Sequence, residues 1–158
     1  MAKKIVSPLW SYLKETKKTR PVGAIEGEFS KSITLRVSNT AAGQPLYFNS
    51  DTELDNAIIR TIEIDINTNL NKMQYQGVDL DPITQIQSTR AVLVLIDNNR
   101  DIIATMPLST LVRSANKGKP AYFLVENLLW QNCYIEITDN SGYSTSNGFF
   151  LRVTYNRK

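Results

Sequence analysis

The sequence predicts an all-β domain, a two-sheet antiparallel β-sandwich preceded by a short helical arm. Three observations predict it. Several stretches alternate apolar and polar residues with period two, as a strand with one buried face requires. Clusters of Gly, Pro, Asn and Asp punctuate these stretches at short intervals. Almost nothing in the chain shows the 3.6-residue period of an amphipathic helix.

The arm comes first. Ser7 is suited to cap a helix and Pro8 to start it. Leu9 and Leu13 then lie one turn apart on one face, with Trp10 and Tyr12 beside them. Lys14, Lys17 and Lys18 follow, where cations favour a helix C-terminus. A helix of about ten residues is too short to stand alone, so this one must dock on something.

The strands follow. Ser32-Ile33-Thr34-Leu35-Arg36-Val37-Ser38 places apolar residues at odd positions and polar ones at even positions. Leu46-Tyr47-Phe48 is a shorter candidate, set after the loop Gly43-Gln44-Pro45. Ile62-Glu63-Ile64-Asp65-Ile66 alternates again. Residues 70–90 are polar and weakly patterned, with Gly77 and Pro82, and read as a long connection holding at most one short strand. Ala91-Val92-Leu93-Val94-Leu95-Ile96 is apolar throughout, which implies a strand covered on both faces.

Asn98-Asn99 suits a two-residue hairpin turn, because Asn tolerates positive φ, and it leads into Asp101–Met106. Pro107–Val112 reads as a single helical turn with proline at its start. Tyr122–Val125, Cys133–Thr138 and a last strand carrying Phe149, Leu151, Val153 and Tyr155 on one face complete the set. Gly118-Lys119-Pro120 and Asp139-Asn140-Ser141-Gly142 mark loops between them. About eight strands with irregular loops point to a jelly-roll-like sandwich before an immunoglobulin-like one.

Charge divides the chain in the same place. The first twenty residues hold six of the 18 basic groups and one of the 15 acidic ones, a net +5. The rest holds twelve basic groups against fourteen acidic ones, a net −2. The reading is therefore a basic arm over residues 1–20 and a sandwich domain over 21–158. A basic arm can meet nucleic acid or an acidic neighbour.

Composition removes much chemistry. The chain has no histidine, hence no imidazole base, no imidazole metal ligand and no Ser-His-Asp device. The single cysteine, Cys133, forms no intrachain disulfide and reads as a small core residue. No phosphate-binding glycine loop is present. Glu26 and Glu28 would share a strand face, but so would any two solvated strand carboxylates. Asp79-Leu80-Asp81 lacks the further acids and glycine of a calcium loop and reads as a polar turn. The expectation is a non-enzymatic protein with no catalytic residue, no metal and no cofactor.

No apolar run approaches the ~20 residues that span a bilayer. The charged start at Lys3 and Lys4 is broken at once by Ser7, Pro8 and Ser11, so neither export by a signal peptide nor membrane contact is expected. Among the aromatics, Trp130 reads as core. Tyr143, in the Ser/Asn/Gly loop of residues 141–147, reads as a loop contact with a partner.

In the stretches Ala91–Ile96 to Leu111 and Trp130–Ile137 to Tyr155, the strand pattern resembles jelly-roll virus coat proteins, in particular small bacteriophage capsid or capsid-auxiliary proteins. The resemblance is one of pattern over about the last two-thirds of the body. It implies a virion structural protein, made in the host cytoplasm, that assembles with itself and with other virion proteins. It implies a minor or auxiliary role, since the chain is short for a main shell protein. It also implies that the arm (Leu9, Trp10, Leu13, Lys14, Lys17, Lys18 and Arg20) makes the assembly contacts, with nucleic acid as a further partner. The second reading is a carbohydrate- or receptor-binding sandwich, such as a phage fibre head, which would display a row of exposed rings.

Overall fold

The computed structural model describes residues 28–38, 41–55, 57–64, 66, 73–112 and 125–157. In chain order the strands are β1 (Glu28–Arg36), β2 (Pro45–Tyr47), β3 (Ala57–Ile64), β4 (Met73–Tyr75), β5 (Val78–Pro82), β6 (Ala91–Ile96), β7 (Ile102–Pro107), β8 (Tyr134–Ile137) and β9 (Asn147–Arg157). Two single helical turns, α1 (Thr52–Asp55) and α2 (Gln85–Ser88), and two 3-10 turns, η1 (Leu108–Leu111) and η2 (Trp130–Asn132), link them. The chain is thus mostly β, in two sheets, as its period-two patterning predicts. Nine strands are described where about eight are expected.

Sheet A is organised by β9. One edge of β9 pairs antiparallel with β1, from Glu28 opposite Asn156 to Arg36 opposite Gly148. Its other edge pairs antiparallel with β3 along the C-terminal half, from Ala57 opposite Arg157 to Ile64 opposite Leu151. Beyond β3 the same edge takes β5 in parallel, at Asp81 and Pro82. This parallel step departs from the purely antiparallel expectation. β4 closes the sheet as the hairpin partner of β5. Sheet B runs β2-β8-β6-β7 and is antiparallel throughout.

The inner faces meet in one core. Phe149, Leu151 and Val153 of β9, with Ile59, Ile62 and Ile64 of β3, join Leu93 and Leu95 of β6 and Ile135 and Ile137 of β8. Trp130 is fully buried and stacks on Phe48 with ring centroids 4.5 Å apart. Its backbone N–H donates to Asp55 Oδ1 at 2.7 Å, which ties η2 to α1.

Local chemistry explains where the strands depart from simple alternation. In β3 the register shifts between Ile59 and Thr61, leaving Arg60 as an extra residue. The shift changes the parity, so Ala57 and Ile59 before it and Ile62 and Ile64 after it all face inward. Arg60 is held outside, its Nε donating to Asn156 Oδ1 at 2.7 Å. The stretch read as a long connection contains the β4–β5 hairpin and α2. Gln76 (φ 51°) and Gly77 (φ 80°) form its two-residue turn, with the paired positive φ values of a type I′ hairpin.

The β6–β7 hairpin forms as expected, but by a different turn. Positive φ falls on Arg100 (70°), while Asn98 and Asn99 stay at negative φ. Asp97 decides this: its Oδ1 accepts the N–H groups of Asn99 (2.8 Å) and Asp101 (2.9 Å), and Arg100 N–H returns to Asp97 O at 3.0 Å. That is a type I turn followed by a left-handed residue, the longer hairpin solution. The helical turn read at Pro107–Val112 is η1, and it buries Leu108 and Leu111.

Replacing Trp130 with Ala removes the largest buried ring and its stack. The free energy of unfolding in urea should fall by about 3–5 kcal/mol. A loss below about 1 kcal/mol would place Trp130 outside the packing that the core depends on.

Candidate interaction surface

The arm residues Leu9, Trp10, Leu13, Lys14, Lys17, Lys18 and Arg20 lie outside the described residues, as does the strand read at 122–124. Tyr143, read as a contact for a partner, turns inward instead. It is 9% exposed, its hydroxyl donates to Gln87 O, and its ring lies 6.1 Å from that of Phe149. Burial pushes the phenol pKa well above its ordinary range. The contact Tyr143 anchors is within its own chain.

The reason is a polar network at one end of the sandwich. α2 begins with a capping box: Gln87 N–H donates to Thr84 Oγ1, and Gln87 Oε1 accepts from Thr84 N–H at 2.6 Å. The amide of Gln87 then crosses to the 139–147 loop, donating to Gly142 O (2.6 Å) and Asn147 Oδ1 (3.1 Å). Asn147 Oδ1 also accepts from Ser144 N–H at 2.9 Å. Arg90 donates to Ser141 O and to Ser141 Oγ, and meets Asp139 at 3.5 Å. Gly142 takes the left-handed φ of 85° that this turn needs. A loop tied down this fully presents a fixed shape.

The opposite end is where the chain enters β1, and there an ionic clamp holds it. Lys31 pairs with Asp51 and lies 3.5 Å from Glu53. Glu53 also accepts from Tyr155 Oη at 2.8 Å and from Arg157 Nη2 at 2.9 Å. Arg157 lies over the Phe29 ring at 4.8 Å. Asp51 in turn accepts Glu53 N–H at 3.1 Å and so starts α1. Strands β1 and β9 and helix α1 are thereby joined beside Glu28, an exposed residue at the start of β1.

The outer faces of both sheets mix polar and apolar residues. Sheet A shows Ser30, Ser32, Thr34 and Arg36 from β1, Arg152 and Thr154 from β9, and Glu63 from β3, with Ile58 and Phe150 among them. Sheet B carries a pair of tyrosines on its outer face. Its register aligns Tyr47, Tyr134, Val94 and Thr105 across β2, β8, β6 and β7. The next row is Pro45, Glu136, Val92 and Pro107. Tyr47 is 57% exposed and meets Tyr134 edge-on at 5.4 Å, whereas Val94 is 3% exposed. At the hairpin end the register shifts after Leu95, leaving Ile103 as an extra residue beside Ile102. Both isoleucines are exposed.

This face was missed by reading strands singly. Tyr47 and Tyr134 are 87 positions apart in sequence, and only the β2–β8 pairing brings them together. One signal was present: β6 is apolar at both parities, and its even positions need cover from something outside the core.

Of the residues weighed for chemistry, Glu26 lies outside the described residues and Glu28 is exposed. Asp79 accepts from Gln74 Nε2 at 3.2 Å. Among the described residues no group of three or more His, Cys, Asp or Glu is placed to hold a metal ion. Cys133 is buried, accepting Ile96 N–H at 3.3 Å, and burial pushes its thiol up to about 11.

Two measurements check this description. Because the thiolate is the reactive form, Cys133 should resist iodoacetamide in native buffer and label only as urea unfolds the chain. Labelling at native conditions at the rate of a free thiol contradicts the burial. The second concerns the clamp. The Tyr155 hydroxyl, then Lys31, hold the Glu53 carboxyl below its ordinary range, and Asp51 holds Lys31 above its own.

The Glu53 contribution is therefore present above the unfolded carboxylate pKa of about 4.3 and lost as pH falls through the lowered folded value. The Lys31 contribution is present below about 10.4 and lost as pH rises through the raised one. Glu53→Gln should lower the thermal midpoint at pH 7, and the gap to the native chain should close towards pH 3. An equal gap at both pH values counts against the clamp. Compared with known proteins, the chain has no significant match to any family model, curated protein or solved structure.

Proposed function

We propose that this chain is a virion structural protein, a minor or auxiliary capsid protein of a bacteriophage. In this reading it is made in the host cytoplasm and assembles with itself, as trimers or higher oligomers, and with neighbouring virion proteins. The sandwich is a jelly-roll-like block, and the arm is the joint. The body supplies fixed surfaces, and Leu9, Trp10 and Leu13 enter a neighbour's apolar surface while Lys14, Lys17, Lys18 and Arg20 meet acidic groups or nucleic acid.

One observation carries this reading. The described residues close a core between two sheets from their own side chains, from Leu35 to Tyr155. A +5 segment over residues 1–20 carries Leu9, Trp10 and Leu13, and a short amphipathic segment that cannot stand alone gains its shelter by docking. The fixed loops at one end and the clamp at the other suit a block that fits neighbours without changing shape.

Deleting residues 1–20 tests the proposal. The full chain should give oligomers by light scattering, while the truncated chain should stay monomeric with a thermal midpoint within a few degrees of the full chain. Assembly of the truncated chain at the same concentration as the full chain would defeat the arm mechanism. If the arm meets nucleic acid, duplex DNA should bind the full chain at low salt and release it steeply as salt rises.

The second reading, a carbohydrate- or receptor-binding module, draws support from the exposed Tyr47 ring beside Tyr134. Binding of a glycan that is lost in Tyr47→Ala would favour it over assembly.

A further inference from the structure

We propose that Asn147 is a latent deamidation site, held closed by the short parallel pairing of β5 with β9 and converted irreversibly when that pairing opens. The proposal is independent of the arm and of the assembly proposed above.

Sequence supplies the chemistry. Asn147-Gly148 is the single Asn-Gly step in the chain. In such a step the glycine nitrogen can attack the asparagine Cγ, because the following residue has no Cβ to obstruct the approach. A bond forms between Gly148 N and Asn147 Cγ, and the Cγ–Nδ2 bond breaks. Ammonia leaves, carrying the proton that the Gly148 N–H gives up. The product is a five-membered succinimide. Water then adds at one of its two carbonyls and opens the ring. One opening gives aspartate; the other gives isoaspartate, whose main chain runs through the former side chain.

The fold readies the carbonyl. Asn147 Oδ1 accepts Ser144 N–H at 2.9 Å, Gln87 Nε2 at 3.1 Å and Ser144 Oγ at 3.2 Å. Attack at Cγ drives negative charge onto that oxygen, and donors already aimed at it stabilise such an intermediate.

The nucleophile is what the fold withholds. Asp81 pairs with Asn147 and Pro82 with Gly148, in parallel register. Asp81 N–H donates to Ser146 O at 2.8 Å, and Ile83 N–H donates to Gly148 O at 3.2 Å. Between these two bonds the parallel ladder directs Gly148 N–H at the Asp81 carbonyl. The extended backbone of β9 also keeps that nitrogen turned away from the Asn147 side chain. Ring closure requires both restraints to be given up.

That pairing is a weak point of sheet A. Two residue pairs join β5 to β9, in the parallel geometry that is less stable per residue. β5 is backed by β4, a strand of three residues. Gly148 is also the last position of the β1 ladder, opposite Arg36. Both ladders thus end at the reactive step, where local opening costs less than unfolding the domain. Isoaspartate adds a main-chain carbon before Gly148, so neither ladder regains its register there. Aspartate leaves the main chain unchanged and keeps the acceptor oxygen.

Peptide mapping of the full chain by mass spectrometry tests this, with Asn49-Ser50, exposed in the loop after β2, as an internal clock. In urea that unfolds the chain, at mildly alkaline pH, Asn147 should convert faster than Asn49. In native buffer the order should reverse, with Asn147 slowed roughly tenfold or more. Urea below the unfolding transition should then quicken Asn147 while circular dichroism stays unchanged. Conversion in native buffer at the unfolded rate would show that the pairing is no guard. A rate that follows global unfolding alone would show that it does not open by itself. Either result overturns the proposal.

Two variants add independent measures. Asp81→Pro removes the donor to Ser146 O and should raise the native rate several-fold in a chain that stays folded. An unchanged rate counts against the guard; should the variant not fold, the urea series decides. Asn147→Asp should melt within a few degrees of the native chain, whereas chains carrying isoaspartate at 147, separated by chromatography, should melt lower. Equal melting of all three would show that conversion leaves the pairing intact, and the irreversible opening would be refuted.

Discussion

The structure depends on the double ladder of β9. Its backbone pairs with β1 along one edge and with β3 and then β5 along the other. Its central side chains alternate, with Phe149, Leu151 and Val153 fully buried and Arg152 exposed between them. A slip of one residue would carry Arg152 and Thr154 into the core and Leu151 into water, so the pairing register is set by the cost of burying an unpaired guanidinium. Both ends of the strand are also pinned. Asn147 holds the 139–147 loop against Gln87, and Tyr155 and Arg157 hold α1 through Glu53. Because β1 and β3 take their register from β9, the arm's point of departure at Glu28 is fixed by the same ladder.

How much of this was legible follows from where the physics is local. β1, β8 and β9 each bury one side of a pleat, and period-two patterning finds them within a few residues, while β6 is found as an unbroken apolar run and is buried at both parities. β3 is found only in its second half, because the extra residue Arg60 shifts the parity and disguises Ala57–Ile59. The β4–β5 hairpin is hidden because its turn is Gln76-Gly77, in which a non-glycine residue takes positive φ. The Asn98-Asn99 reading fails for a related reason: intrinsic tolerance of positive φ is a weak preference, and the two hydrogen bonds to Asp97 outweigh it.

The candidate surface was less legible than the fold. A loop tyrosine looks like an anchor for a partner, but whether it faces out depends on groups far away in sequence. Tyr143 finds Gln87 O across 56 residues and turns inward. Tyr47, in a three-residue strand with little pattern of its own, is the ring that stays outside. Net charge, by contrast, is additive along the chain. The division between a cationic arm and a mildly acidic body needs no pairing information, and it is the part of the functional reading that the sequence carries unaided.

A β-rich block can gain neighbours by its edges or by its faces, and here the edges are closed to addition. β1 carries Lys31 pointing inward, held by Asp51 and Glu53, an arrangement that opposes a further strand. β2 and β4 are three residues each, too short to template a ladder. β7 has exposed isoleucines, but the extra residue at Ile103 breaks its ladder and Pro107 removes a donor at its end. Each edge thus bears a device that discourages open-ended pairing. That leaves the faces and the fixed end loops as the surfaces through which such a block can meet a neighbour without growing into a fibre.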